Sequence, residues 1–466
     1  MGQRFHAAAH AVTALVPLFL VLTLTACLAP SRTEPHGRPA AENPYPAMSA
    51  AVASGKPDDA LRTYEKSLAA QPQSAETRIL HARLLMIAGK LVEAREELNL
   101  VLATEPRNTA ALYNLSTIDG LEGVVAAQES LLRQVIAIDP AHADALAGLG
   151  DLCRDRGQAA EAEGLYAKAL AGAPAHLVAL MGLGTLREGA GDWKQAESFY
   201  DRAIAAQPDY PLAYIERARA RRSLDDATGA LEDLSAAIRL DPQYPWTYID
   251  RGRIYLKQGH RAEAIADFSM AIRLDPDQFE GYALRAAVLQ DAGDAAAARA
   301  DWTRVVALKP DYGYAYAPLA TLAWQAADWA AARDAFLRAW SFDEDEPSYL
   351  LCAGLCALRQ GKRADIASIV EPVYSHTPVD AWQRDIARLL ADPVTTSGLL
   401  VRIDKERNAP RKAVMLFYVA VVSLSTGMER SGLTYLAQIK GQGSPRAVET
   451  KLALIELDRQ TAGSGR

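Results

Sequence analysis

The side chains in this sequence that could do chemistry are few, and they are widely spaced. Cysteine stands at positions 27, 153, 352 and 356. A thiolate can act as nucleophile or soft metal ligand, but no C-x-x-C pair is present. Cys352 and Cys356 lie four apart on one face of an expected helix, where near-parallel side chains suit a disulfide poorly. With Cys153 they read as small buried apolar residues. Two of the eight histidines fall in the first 26 residues; the others, at 36, 81, 142, 176, 260 and 376, show no metal-ligand spacing. There is no G-x-S-x-G, phosphate-binding glycine loop or H-E-x-x-H. Asp225-Asp226 and the run Asp343–Glu346 fall at expected turns, where solvated charge is the default. Gly148-Leu149-Gly150 and Gly182-Leu183-Gly184 look like openings of a dinucleotide-binding turn, but they lie inside expected helices at a position of close packing. These residues point to no catalytic group, no metal and no cofactor. Three arginine–aspartate pairs, each 16 apart, are the remaining pattern: Arg217/Asp233, Arg251/Asp267 and Arg285/Asp301. Across a helical hairpin they should meet as structural ion pairs, costly to break singly.

The elements that position these residues follow from a strict period. Pro72, Pro106, Pro140, Pro174, Pro208, Pro242, Pro276 and Pro310 are spaced 34 residues apart. Alanine recurs twelve before the proline at 60, 94, 162, 196, 230, 264 and 298. An aromatic residue or leucine stands eight before it: Tyr64, Leu98, Leu132, Tyr166, Tyr200, Leu234, Phe268 and Trp302. Glycine falls 17 before it at 55, 89, 123, 157, 191, 259 and 293. Each unit then reads as two antiparallel helices, the first closed by a glycine able to adopt the left-handed conformation. Alanine allows close approach, the aromatic fills the gap, and proline ends the second helix. A unit of this kind cannot bury its apolar face alone and is stabilised by its neighbours.

These landmarks match the tetratricopeptide-repeat (TPR) consensus position by position, so residues 41–346 resemble nine such units. The fold implied is all-α, a right-handed α-solenoid of about ten helical hairpins with a C-terminal helical cap. The ninth unit has Glu344 where proline is expected, and 347–380 is a degenerate tenth. Residues 381–459 are a C-terminal helical region, in which Pro393, Gly398 and Pro410 break 381–412 into short helices. A last pair and a capping helix over Ala447–Leu457 follow, and 460–466 is an expected disordered tail.

Residues 1–26 read as a signal peptide: a single charge, Arg4, precedes an apolar run of Ala11–Ala26, short for a membrane span. The run ends in Leu24-Thr25-Ala26-Cys27, which resembles the lipobox of bacterial lipoproteins. That resemblance implies cleavage before Cys27, lipidation of Cys27 and membrane attachment through several acyl chains. An uncleaved anchor or a soluble secreted chain is the alternative. Leu28 rather than aspartate follows Cys27, so the resemblance carries no inner-membrane retention signal. Residues 27–46, with Pro30, Pro35, Pro39, Pro44 and Pro46, are an extended tether. A net charge of −7 and a pI near 5.7 argue against a protein that coats nucleic acid.

In TPR arrays the concave surface is lined by first-helix residues. Carried over by that resemblance, the candidate protein-binding residues are Ile215, Arg219, Arg222, Trp246, Ile249, Arg253 and Lys257, with Tyr314 and Trp324 further along. Cations interleaved with large apolar groups suit an acidic or carboxylate-terminated segment, although Glu280, Gln290 and Asp291 interrupt the basic character. Lipobox, TPRs and C-terminal helices together resemble NlpI-type lipoproteins. The local likeness lies in Phe417-Tyr418, Leu424-Ser425-Thr426-Gly427, Val448-Glu449 and Ala453-Leu454-Ile455-Glu456-Leu457. The resemblance implies a non-catalytic adaptor on the periplasmic face of the outer membrane, with protein or peptide partners of the cell envelope. The alternatives are a subunit of an envelope transport or assembly machine (outer-membrane protein insertion, secretion or solute import) and, last, an enzyme with its site in 381–466.

Overall fold

The computed structural model describes residues 44–67, 74–375, 379–392, 396–444 and 447–463. Cys27, the expected signal peptide and most of the expected tether lie outside them. Every described element is helical, and consecutive helices pair as hairpins. Nine first helices run Tyr45–Ala53, Ala75–Ile87, Thr109–Leu121, Ala143–Asp155, Leu177–Gly189, Pro211–Ser223, Pro245–Lys257, Phe279–Asp291 and Tyr316–Gln325, the last preceded by a 3-10 turn over Gly313–Ala315. Their partner helices are Pro57–Ser67, Leu91–Thr104, Val125–Ile138, Ala159–Gly172, Trp193–Ala206, Ala227–Leu240, Arg261–Leu274, Ala295–Leu308 and Trp329–Phe342. A further pair follows at Ser348–Arg359 and Arg363–Val370. The chain divides into two compact units, 1–233 and 234–466.

The turn inside each hairpin requires one residue with positive φ. Gly55, Gly89, Gly123, Gly157, Gly191, Gly259 and Gly293 supply it, with φ between 71° and 85°. The sixth and ninth hairpins lack the glycine, yet Asp225 (φ 60°) and Ala327 (φ 57°) adopt the same conformation. The stacking of neighbours thus imposes the turn even on residues that pay for it. The glycines inside first helices have a different role. A Cβ on Gly150 would lie 2.7 Å from the Tyr166 ring, and on Gly184 2.4 Å from the Tyr200 ring. Close packing therefore accounts for the two Gly-x-Gly sequences.

Six of the first helices start in one of two ways. Ser74, Asn108, His142 and His176 each accept a hydrogen bond from the backbone N–H three residues on. Pro211 and Pro245 instead open their helices with a preset φ. The arginine–aspartate pairs form as expected. Arg217 Nε and Nη2 donate to Asp233 at 3.0 and 2.6 Å. Arg251 donates to Asp267 at 2.9 and 2.7 Å, and Arg285 to Asp301 at 2.8 Å through both nitrogens. The third nitrogen, Nη1, reaches 16 residues back to the preceding hairpin: Asp201 for Arg217, Ser235 for Arg251 and Ser269 for Arg285. Each guanidinium also lies near a tyrosine ring, 5.6–5.9 Å from the centroids of Tyr214, Tyr248 and Tyr282. Each arginine therefore joins two successive second helices within its own compact unit.

From residue 320 onward the core is continuous through the C-terminal helices Ala381–Ala391, Thr396–Lys405, Ala409–Ser425, Glu429–Ile439 and Val448–Gly463. Pro410 stands in the first turn of Ala409–Ser425, after the break that follows Lys405, whereas Gly398 lies within Thr396–Lys405 and breaks nothing. Helix begins at Tyr45, inside the first expected unit, and at the other end the last helix continues through 460–463, where a disordered tail was expected.

Candidate functional site

In the first compact unit, several acids of the first helices are paired with groups on their own or neighbouring helices. Tyr166 donates to Asp151 Oδ1 at 2.6 Å, and Arg154 lies 2.8 Å from the same oxygen. His176 Nε2 is 3.1 Å from Asp144 Oδ1, and Tyr200 donates to Glu188 at 3.3 Å. Burial pushes the Asp151 carboxyl up, and Arg154 and Tyr166 oppose it. Burial also raises Asp144, but the hydrogen bond and charge of His176 outweigh it and hold that carboxyl low. Burial raises the hydroxyls of Tyr113, Tyr166, Tyr200 and Tyr210. Arg219 is paired with Glu216 and lies 3.6 Å from Glu188. It is thus already neutralised by its own chain. Arg222 is exposed, whereas Ile215 is only 9% exposed and belongs to the packing of its hairpin.

In the second compact unit, Ile249 is fully buried, and Trp246 is half-buried against Tyr248 and Ile249. Arg253 is exposed and lies 3.5 Å from Asp250 one turn earlier; Lys257 is exposed. Tyr314 is 83% exposed and continues an aromatic line, 5.8 Å from Tyr312, which is 5.1 Å from Phe279. Burial raises the carboxyl of Glu280, on the intervening first helix, while Arg253 and Lys309 oppose it.

Trp324 requires a correction. It is fully buried and is not free to meet a partner. Its indole N–H donates to Glu456 Oε1 at 2.8 Å, across 132 residues of sequence. Glu456 is itself 0% exposed and also takes Arg359 Nη2 at 3.0 Å and Arg459 Nη1. Arg459 Nη2 donates to the Trp324 carbonyl at 2.7 Å, and Arg359 and Arg459 both lie over the Trp329 ring. Helix Val448–Gly463 therefore covers the first helix of the ninth hairpin. Of the candidate residues, Ile215, Ile249 and Trp324 belong to the core because their helix positions face a neighbouring helix. Arg219, Arg222, Trp246, Arg253, Lys257 and Tyr314 keep solvent access.

The residues missed from the sequence are Arg359, Glu449, Glu456 and Arg459. The signal was present in the last helix: Glu449, Leu452, Ala453 and Glu456 follow the spacing i, i+3, i+4, i+7, which places two acids on the buried face. Glu449 accepts from Tyr418 at 2.9 Å, and Tyr418 lies 3.6 Å from the Cys352 sulfur. Burial raises both Cys352 and Cys356, so neither thiol is poised as a nucleophile. No group of His, Cys, Asp or Glu suited to a metal occurs among the described residues. No helix among them is long and apolar enough to cross a membrane.

Models of the tetratricopeptide repeat match residues 51–117, 126–176, 154–221 and 245–278, and a TPR-repeat model matches 218–259. No curated protein matches the sequence significantly. Among solved structures, the TPR protein YrrB, described as having an unusual peptide-binding site, aligns at 17% identity and TM-score 0.35, over 40% of this chain and 95% of its own. PilF of Pseudomonas aeruginosa aligns at 20% identity and TM-score 0.40, covering 44% of this chain and 94% of its own. A tetratricopeptide repeat protein of Parabacteroides merdae aligns at 20% identity and TM-score 0.38, over 53% and 98%. The 34-residue hairpins, their glycine turns and the matched repeat models together identify the chain as a tetratricopeptide-repeat protein.

Proposed function

We propose that this chain is a lipid-anchored scaffold of the cell envelope, facing the periplasm from the outer membrane. In this reading it holds protein or peptide partners on the exposed row of its first helices and performs no chemistry on them. The observation that carries the binding part is the set of groups left accessible in the second compact unit: Trp246, Arg253, Lys257 and Tyr314. Arginine forks and partly exposed aromatics combine charge-assisted hydrogen bonding with apolar area that a partner can desolvate. The membrane part rests on Leu24-Thr25-Ala26-Cys27, which supplies the one residue whose multiple acylation gives stable attachment.

In-cell photocrosslinking tests the binding part, with the crosslinker placed at Arg253 and Tyr314, and at Arg62 on a second helix as the control. Discrete envelope polypeptides captured at the first two positions and absent from the third are the expected result. Capture that is equal at all three positions, or absent at Arg253 and Tyr314 in a chain made at normal level, overturns it.

A further inference from the structure

The contacts of the last helix have the form of a ligand complex. Helix Val448–Gly463 packs on Tyr316–Gln325, Ser348–Arg359, Ala409–Ser425 and Glu429–Ile439. Its buried face is a short apolar centre, Leu452 and Ala453, flanked by Glu449 and Glu456. Each acid meets a donor on the hairpins. Tyr418 donates to Glu449, and Trp324 and Arg359 donate to Glu456. Arg459 adds a hydrogen bond to the backbone carbonyl of Trp324. A helix that served only to cover apolar surface would need no buried carboxylates, whose desolvation costs several kcal/mol each before the partner groups offset it.

The surface beneath has its own character once this helix is considered apart from it. It presents an indole N–H, a guanidinium and a tyrosine hydroxyl around an apolar floor. All are donors, and their spacing suits carboxylates two helical turns apart. The segment joining the helix to the preceding one is short, and Gly441 within it has φ 80°.

We propose that the first-helix face around Trp324 and Arg359 is a binding site for an acidic amphipathic helix, which the chain's own C-terminal helix occupies in the resting state. A partner helix with acids at i and i+7 and small or aliphatic residues between them displaces it, so the C-terminal helix is both a cap and a competing ligand. This extends the scaffold reading to a second, gated site but rests on contacts internal to one compact unit. Vacating the site without replacement uncovers its apolar floor and takes the carboxylate from Arg359, so opening is coupled to exchange. A short tether gives the resident helix an effective concentration on the order of millimolar, which a free competitor must match.

The test uses the full chain and a fluorescent peptide spanning residues 447–463. Glu456→Ala in the full chain loosens the resident helix, and peptide binding is followed by anisotropy and by tryptophan emission. The expected result is peptide binding at least about tenfold tighter to the Glu456→Ala chain than to the unmodified chain. It is lost by a similar factor when the peptide itself carries Glu456→Ala. The proposal is overturned if both peptides bind alike, or if neither binds a variant with unmodified helical content. Should Glu456→Ala reduce helical content, Arg459→Ala replaces it, since this leaves Glu456 its bonds from Trp324 and Arg359 while removing the contacts of Arg459 with Glu456, the Trp324 and Gln325 carbonyls and the Trp329 ring. A negative result here leaves the crosslinking test at Arg253 and Tyr314 standing, so the two failures are separable.

Discussion

At the residue scale, the turn positions show how neighbours override local preference. Ala327 holds φ 57° without the freedom of glycine, a conformation that costs an L-residue about 1–2 kcal/mol. Ala327→Gly should therefore stabilise the chain by about 1 kcal/mol in urea unfolding, offset partly by the greater entropy of the unfolded glycine. Gly184 is the opposite case. Gly184→Ala drives a methyl to within 2.4 Å of the Tyr200 ring and should destabilise by about 1–3 kcal/mol, as overpacking does. Asp267 is almost wholly buried and accepts two hydrogen bonds from Arg251. Asp267→Ala leaves that guanidinium uncompensated and should cost about 3–5 kcal/mol, whereas Arg253→Ala, at an exposed pair, should barely move the urea midpoint.

At the scale of elements, the last helix is where pH enters. Burial holds the Glu449 carboxyl above its ordinary value, against hydrogen bonds from Ser348 and Tyr418. A carboxyl raised in the folded chain binds its proton more tightly there than when unfolded. Its stabilising contribution is therefore complete below the ordinary glutamate range and is lost as pH rises through the raised value. The C-terminal helix should loosen in that direction. Hydrogen exchange of 448–463 should accelerate with pH beyond the intrinsic chemical rate, more than that of 409–425. Glu449→Gln, neutral throughout, should flatten the excess; an unchanged profile would assign it to another group.

The division into hairpins has a consequence at the scale of the whole molecule. Stability in a repeat array is close to a sum of repeat and neighbour terms. Asp267→Ala should therefore loosen the hairpins around 245–308 well before those around 75–155, as site-resolved hydrogen exchange would show. The membrane proposal also belongs at this scale. Cys27→Ser should move the chain from the membrane to the soluble fraction and abolish labelling by a palmitate analogue. Retention at the membrane with an unlabelled chain would instead favour an uncleaved anchor.

The repeat was legible because its residues are dictated locally. Proline ends a helix, glycine permits the turn, and alanine with an aromatic fills a fixed gap, so 34-residue spacing alone determined hairpins and their order. The arginine–aspartate bonds were legible for the same reason, since their 16-residue separation is set by one hairpin. Only the tertiary structure decided what lies next to what over longer separations. Trp324 has the repeat position of a binding residue, yet Glu456, 132 residues on, takes its indole N–H and buries it. Ile215 and Ile249 carry no local mark separating a solvent-facing side chain from one pressed against the next helix. Local spacing specifies the units, and the packing of distant segments specifies which of their surfaces remain open.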